Sequence, residues 1–192
     1  MSELTLRVIA YGGRDSRVEI SILYPIPEHL RGSSYVKTWC MDLVKELHPD
    51  LKHNSSWGCV ECSKPARETN VTTVTWTHLP EPQAVVYIYH LCEAGRNRCN
   101  KEVLALNRMM AAMTPGAGPQ RPAIHKKRPG VEYPLSASCC KCKKNSTGSP
   151  DAGLRRCGGC KLSRYCGTEC QTADWPRHKQ LCKYIKSVEW VN

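Results

Sequence analysis

Phenylalanine is absent from this 192-residue chain, and all aromatic residues together make up 7% of it. The apolar reserve for a core is therefore modest, and the length allows one ordinary domain or two small ones. Long hydrophobic runs are missing too. The longest apolar stretch, Ala84-Val85-Val86-Tyr87-Ile88-Tyr89, is far short of the roughly 20 residues that span a bilayer. Residues 1–7 lack the basic segment and apolar run of a secretory signal. No nucleophile motif is present: His48, His53, His78 and His90 have no Ser, Cys or carboxylate partner at a catalytic spacing. They read as solvent-exposed or packed histidines. These absences point to an intracellular chain, in cytoplasm or nucleus, that is not an enzyme and does not meet a membrane.

What the chain does have is thirteen cysteines. In a reducing compartment, clustered cysteines hold metal more often than they form disulfides. The formal charge is +11 with thiols counted as neutral. A zinc ligand is a thiolate, so filling three sites lowers that balance by about five charges. Much of the apparent basicity, and with it the argument for a nucleic-acid partner, is then lost.

Residues 4–11 and 18–25 alternate apolar and polar, as half-buried strands do, around a turn at Gly12-Gly13-Arg14-Asp15-Ser16. A helix is expected over 34–48, with Val36, Trp39, Cys40, Leu43, Val44 and Leu47 forming one apolar stripe. Cys40 falls inside that stripe and reads as a small core residue. Strand-like runs follow at 71–78 and 84–90. A second helix is expected over 100–113, with Val103, Leu106, Met110 and Met113 on one face. The Pro- and Gly-rich stretch 114–134 carries His125-Lys126-Lys127-Arg128 and reads as a basic linker. The expected organisation is a small α+β fold: an N-terminal domain over 1–113, the linker, and a zinc module with a helix over 135–192.

That module contains Cys139-x2-Cys142, Cys157-x2-Cys160, Cys166-x3-Cys170 and His178-x3-Cys182. Each Cys-x2-Cys can turn two sulfurs toward one ion. Four pairs complete two tetrahedral zinc sites with no open position for catalysis. His178 and Cys182 share one face of a helix, for which Trp175-Pro176 suits the start. Spacing leaves sequential and interleaved pairing equally open.

With Tyr165 before Cys166, Gln171 after Cys170, then Asp174-Trp175 and His178-Lys179-x2-Cys182, the segment 139–182 resembles a MYND-type zinc finger. The resemblance implies a cross-braced arrangement. One zinc takes Cys139, Cys142, Cys166 and Cys170; the other takes Cys157, Cys160, His178 and Cys182. It also implies capture of a proline-rich peptide in a groove at Gln171 and Trp175, in a partner such as a transcriptional regulator. Trp175 reads equally well as core for a very small module. Two departures stand out. Residues 143–156 form a long excursion, and Cys140 beside Cys139 reads as a spare thiol. Gly158 leaves its knuckle without a hydroxyl to meet a peptide.

A third set precedes the linker. Cys59-x2-Cys62, a hairpin, then Cys92 and Cys99 at a helix start is the order of a treble-clef-like zinc site. His90 is a possible substitute for Cys92 or Cys99. The leading function is thus a zinc-dependent protein-interaction adaptor. The alternative is a nucleic-acid binder using the basic linker and finger loop. No SET-type catalytic domain fits in the chain, and the ligand spacing differs from a RING. No Pro-x-Leu-x-Pro segment is present, so the peptide ligand is expected from another molecule.

Overall fold

The computed structural model describes residues 3–113 and 128–191. Strands β1 (Glu3–Tyr11) and β2 (Arg17–Pro25) form the expected hairpin, with Leu6 opposite Ile22 and Val8 opposite Ile20. Alternation puts Leu4, Leu6 and Val8 on one face with Val18, Ile20 and Ile22, all fully buried. Helix α1 (Val36–Lys52) buries Cys40, Leu43, Val44, Leu47 and Leu51 against that face. It runs four residues beyond the expected end at His48. Pro49 lies inside its last turn, where the missing N–H is tolerated because the preceding helix is held by packing.

Strands β3 (Glu68–Trp76) and β4 (Gln83–Leu91) form a second hairpin, and β4 runs parallel to β1. Alternate residues of β4 serve two cores. Ala84, Val86 and Ile88 join the α1 cluster, while Tyr89 and Leu91 pack with Cys59, Cys99 and Val103 on the other face. Helix α2 (Arg98–Met113) covers that second face. Its buried side differs from the expected one: Val103, Leu104 and Asn107 face inward, while Met113 is 76% exposed. A buried polar contact lies on this inward side, Asn107 Nδ2 donating to Asn70 Oδ1 at 2.8 Å, so a polar residue takes a position that an apolar pattern would not assign to the core.

The segment expected as a linker lies outside the described residues from 114 to 127. Residues 131–135 carry no helix or strand and are tied down by Arg67, which donates to the Tyr133 carbonyl and pairs with Glu132. The finger region then supplies two two-residue strands, β5 (Arg155–Arg156) and β6 (Arg164–Tyr165), and helix α3 (Thr168–Cys182). Helix α3 starts seven residues before the expected Trp175-Pro176. Pro176 sits in its interior, and Cys170 lies in its first turn. After it, β7 (Ile185–Val191) pairs antiparallel with β2, which has no counterpart in the sequence reading. The five-stranded sheet has the order β3-β4-β1-β2-β7. Leu162, Tyr165 and Leu181 of the finger share one buried cluster with β1, β2 and α1.

Candidate metal centres

Three Cys-x2-Cys turns have the same backbone. In each, the residue just after the second cysteine donates its N–H to the carbonyl of the first: Ser63 to Cys59, Lys143 to Cys139 and Lys161 to Cys157, at 2.9–3.0 Å. Each of those donors is left-handed, with φ of 59°, 54° and 59°. A non-glycine residue held there costs about 1 kcal/mol or more. Its recurrence at one position in three motifs marks a common turn that aims two sulfurs the same way.

The other candidate ligands arrive from outside each turn. Cys166 and Cys170 flank the start of α3 and face Cys139 and Cys142; His178 and Cys182, further along α3, face Cys157 and Cys160. Cys92 follows β4 and Cys99 opens α2, opposite Cys59 and Cys62. In every set the four ligand atoms lie within 4.8 Å of one another. Atoms about 2.3 Å from a tetrahedral zinc stand about 3.8 Å apart, and less where one is nitrogen. Sulfur separations of 3.9 Å for Cys142–Cys166, 3.8 Å for Cys157–Cys182 and 3.8 Å for Cys92–Cys99 match that edge. The 3.6 Å from Cys160 Sγ to His178 Nε2 matches the sulfur–nitrogen edge. These separations are far from the ~2.05 Å of a disulfide. The grouping is interleaved along the chain: the turn at Cys157–Cys160 lies between the two halves of the group of Cys139, Cys142, Cys166 and Cys170.

Backbone donors favour the thiolate at three of these cysteines, while burial pushes Cys92, Cys99, Cys166, Cys170 and Cys182 up. Burial disfavours a charged Cys160, yet contact with His178 and the N–H groups of Ser163 and Leu162 lowers its pKa to about 7. Cys139 and Cys62 are likewise shifted down against burial by backbone N–H groups.

His178 is fully buried, and its second nitrogen points away from the cysteines. Nδ1 lies 2.9 Å from Oδ1 of Asp50, on α1. Asp50 also accepts from Ser163 Oγ at 2.6 Å and from both terminal nitrogens of Arg177, at 2.5 and 3.2 Å. Burial alone would raise this carboxyl; the bonds from His178, Arg177 and Ser163 outweigh it and hold it at about 2. Arg177 bridges onward to Asp174, which accepts from the buried Tyr165 hydroxyl at 2.9 Å. The Tyr165 and Asp174 of the finger motif thus belong to one buried network. Nothing in the sequence flagged Asp50 or Arg177; Asp50 sits behind a proline that hides the helix turn carrying it.

Two cysteines stay outside all three sets. Cys40 is buried in the α1 stripe, and burial pushes its thiol up to about 11. Cys140 is buried beside Asp50 and Arg177, and its thiol is also raised, first by burial and then by Asp50. His90 is not in the third set: its ring stacks on Trp57 with centroids 4.4 Å apart, and Nδ1 faces the Tyr11 carbonyl. Trp175 is 44% exposed and lines an open groove of about 560 Å³ with Gly159, Lys179, Gln180, Cys182, Lys183 and Ile185. Gly159 allows this close approach, since a Cβ there would lie 3.0 Å from Cys182 Sγ. Gln171, one turn earlier on α3, is not part of that lining. No helix among the described residues is long and apolar enough to cross a membrane.

Comparison with known proteins agrees with this geometry over one segment. The MYND finger family matches residues 139–182. A SET and MYND domain-containing protein of Dictyostelium discoideum is 43% identical over 51 residues, 26% of this chain and 9% of that protein. Dauer abnormal formation protein 25 of Caenorhabditis elegans is 47% identical over 45 residues, 23% of this chain and 11% of its own. Histone-lysine N-methyltransferase SMYD3 of Homo sapiens is 44% identical over 36 residues, 19% of this chain and 8% of the enzyme. The chain therefore spans about a tenth of the relatives it matches. No solved structure matches. Residues 139–182 are a MYND finger, a zinc-binding protein-interaction module without catalytic function of its own.

Proposed function

We propose that the chain is an intracellular, non-catalytic adaptor that holds three zinc ions and uses its finger to capture a proline-rich segment of a partner protein. In this reading one zinc is bound by Cys139, Cys142, Cys166 and Cys170, and a second by Cys157, Cys160, His178 and Cys182. A third is bound by Cys59, Cys62, Cys92 and Cys99 in a treble-clef-like order of turn, hairpin and helix. The shared left-handed turn supports the third site, because it repeats the backbone of the two turns inside the finger. Four protein donors complete each set, which leaves no position on the ion to activate water.

The observation that carries the peptide reading is the exposure of Trp175. Its neighbours Asp174 and His178 are buried, while the indole stands in the groove. An extended proline-rich segment loses little entropy on binding and packs against such a face. The test is capture of a fluorescent proline-rich peptide by the zinc-loaded chain. Trp175→Ala should weaken it at least tenfold with zinc retained, and Gln171→Ala should weaken it less. Unchanged capture by Trp175→Ala would remove the groove from the proposal.

One observation favours a nucleic-acid reading. Arg156 and Arg164 face each other across β5 and β6, with Trp190, the Lys161 carbonyl and Ser56 as partners rather than carboxylates. Phosphate contacts there would make binding fall steeply with salt. Capture of a proline-rich peptide would respond little.

A further inference from the structure

We propose that Asp50 is a positioning residue for the metal site of Cys157, Cys160, His178 and Cys182, so that this site of the finger is completed by helix α1. The inference rests on the reading of those four residues as ligands. It concerns a residue 128 positions away from the histidine it serves and outside the matched segment 139–182.

Histidine offers two nitrogens, and a neutral ring carries its proton on one of them. Here Nε2 faces Cys160 Sγ at 3.6 Å, and Nδ1 faces Asp50 Oδ1 at 2.9 Å. A ring ligating through Nε2 must therefore be protonated on Nδ1, and the carboxylate accepts that proton's hydrogen bond. This fixes both tautomer and ring orientation and makes Nε2 a better donor. Ser163 Oγ lies 3.3 Å from the same Nδ1, but its own proton is given to Asp50 at 2.6 Å, so it ranks as a weaker alternative.

The carboxylate is held as firmly as the ring. Its exposure is zero, and a buried charge persists only when its lone pairs are satisfied. Oδ1 accepts from His178, Ser163 and Arg177, and Oδ2 from Arg177. Arg177 in turn donates to Asp174 through Nε and Nη2. Asp50, Cys140 and Asp174 also bring three ligand-type atoms together, but the Arg177 guanidinium already occupies that space, which argues against a further cation there. The backbone under Asp50 is fixed too. Leu51 is fully buried, Lys52 donates to the Arg67 carbonyl, and the Pro49 carbonyl accepts from His53 N–H. The last turn of α1 past Pro49 thus exists in a form that presents one carboxylate to the finger.

Anaerobic cobalt(II) loading of the full chain tests this, because a site of three sulfurs and one nitrogen absorbs at shorter wavelength than the four-sulfur sites. Asp50→Asn keeps shape and removes the charge. It should shift the three-sulfur band and weaken cobalt at that site by about 10- to 100-fold, with the four-sulfur bands unmoved. Arg177→Gln, which leaves the Asp50–His178 bond in place, should lower the unfolding midpoint without moving the band. Equal effects of Asp50→Asn on all bands, or unchanged affinity at the three-sulfur site, would overturn the proposal. Absence of any three-sulfur band in the unaltered chain would instead refute the ligand reading. Should Asp50→Asn not fold, nitrogen-15 spectra of the unaltered zinc-loaded chain decide. A His178 ring protonated on Nδ1 and metal-bound through Nε2 is expected; the opposite tautomer would overturn the role of Asp50.

Discussion

Val188 of β7 lies directly opposite Ile20 of β2, so the strand that follows the finger closes the sheet that precedes it. The finger is thereby held at two places, by Asp50 on α1 and by this edge strand. Tyr184 reinforces the second, its carbonyl accepting from Leu23 N–H at 3.0 Å. Trp190 adds packing, 6.3 Å from Trp57 and beneath the Arg156 guanidinium. A charge placed at Val188, which packs against the common core, should destabilise the chain. For Val188→Asp we expect a loss on the order of 1–3 kcal/mol in guanidinium unfolding with zinc in excess. The zinc content of the folded fraction should not change.

Native mass spectrometry should count three zinc ions on the full chain. Cys62→Ser should leave two and spare the finger, whereas Cys160→Ser should remove one from the finger. Two ions on the unaltered chain would eliminate the set of Cys59, Cys62, Cys92 and Cys99.

Thiol labelling checks the same assignment independently. With eleven of the cysteines on metal, Cys40 and Cys140 remain, and both are buried with raised pKa. Brief iodoacetamide treatment of the zinc-loaded chain should therefore label almost nothing. After chelation the eleven cysteines of the three groups and Cys140 should become reactive, because metal binding and folding of the finger are linked, while Cys40 in the α1 stripe should stay protected.

Trp175→Ala removes a side chain that is 44% exposed. Its effect on the unfolding free energy should stay near ±0.5 kcal/mol. A loss of 3 kcal/mol or more, the range for a buried Trp, would make Trp175 a core residue instead.

Acid should destabilise the chain through His53, apart from any effect on its zinc sites. Burial, and then Lys52, hold His53 down to about 3 from its ordinary 6.5. In the unfolded chain it titrates near 6.5. Stability is thus complete above that pH and falls as the pH drops from 6.5 toward 3, by about 1.4 kcal/mol per unit for this group. Unfolding midpoints of His53→Asn should fall less between pH 7.5 and 5.5 than those of the unaltered chain. Parallel slopes would contradict this.

Much of the site was readable from spacing, since a Cys-x2-Cys turn is local and its geometry needs only five residues. The β1–β2 alternation and the α1 stripe were readable for the same reason: a period of two or 3.6 reports which side is buried. The interleaved pairing came from family resemblance, because spacing alone fits both pairings. Pro176 misplaced the start of α3, and Pro49 misplaced the end of α1. Proline weakens a helix locally, and packing around both overrode that preference. The inward face of α2 was misread because a buried Asn70–Asn107 pair leaves no hydrophobic signature.

By itself the sequence determined which cysteines and which histidine fall into three candidate metal-holding groups, the identity of the finger and the strands that carry regular alternation. Only the tertiary structure decided that β7 joins the N-terminal sheet, that Trp175 faces solvent, and that Asp50 reaches His178. Those outcomes depend on pairing between segments far apart in the chain, and a single carboxylate carries no periodic signal of the partner it will meet.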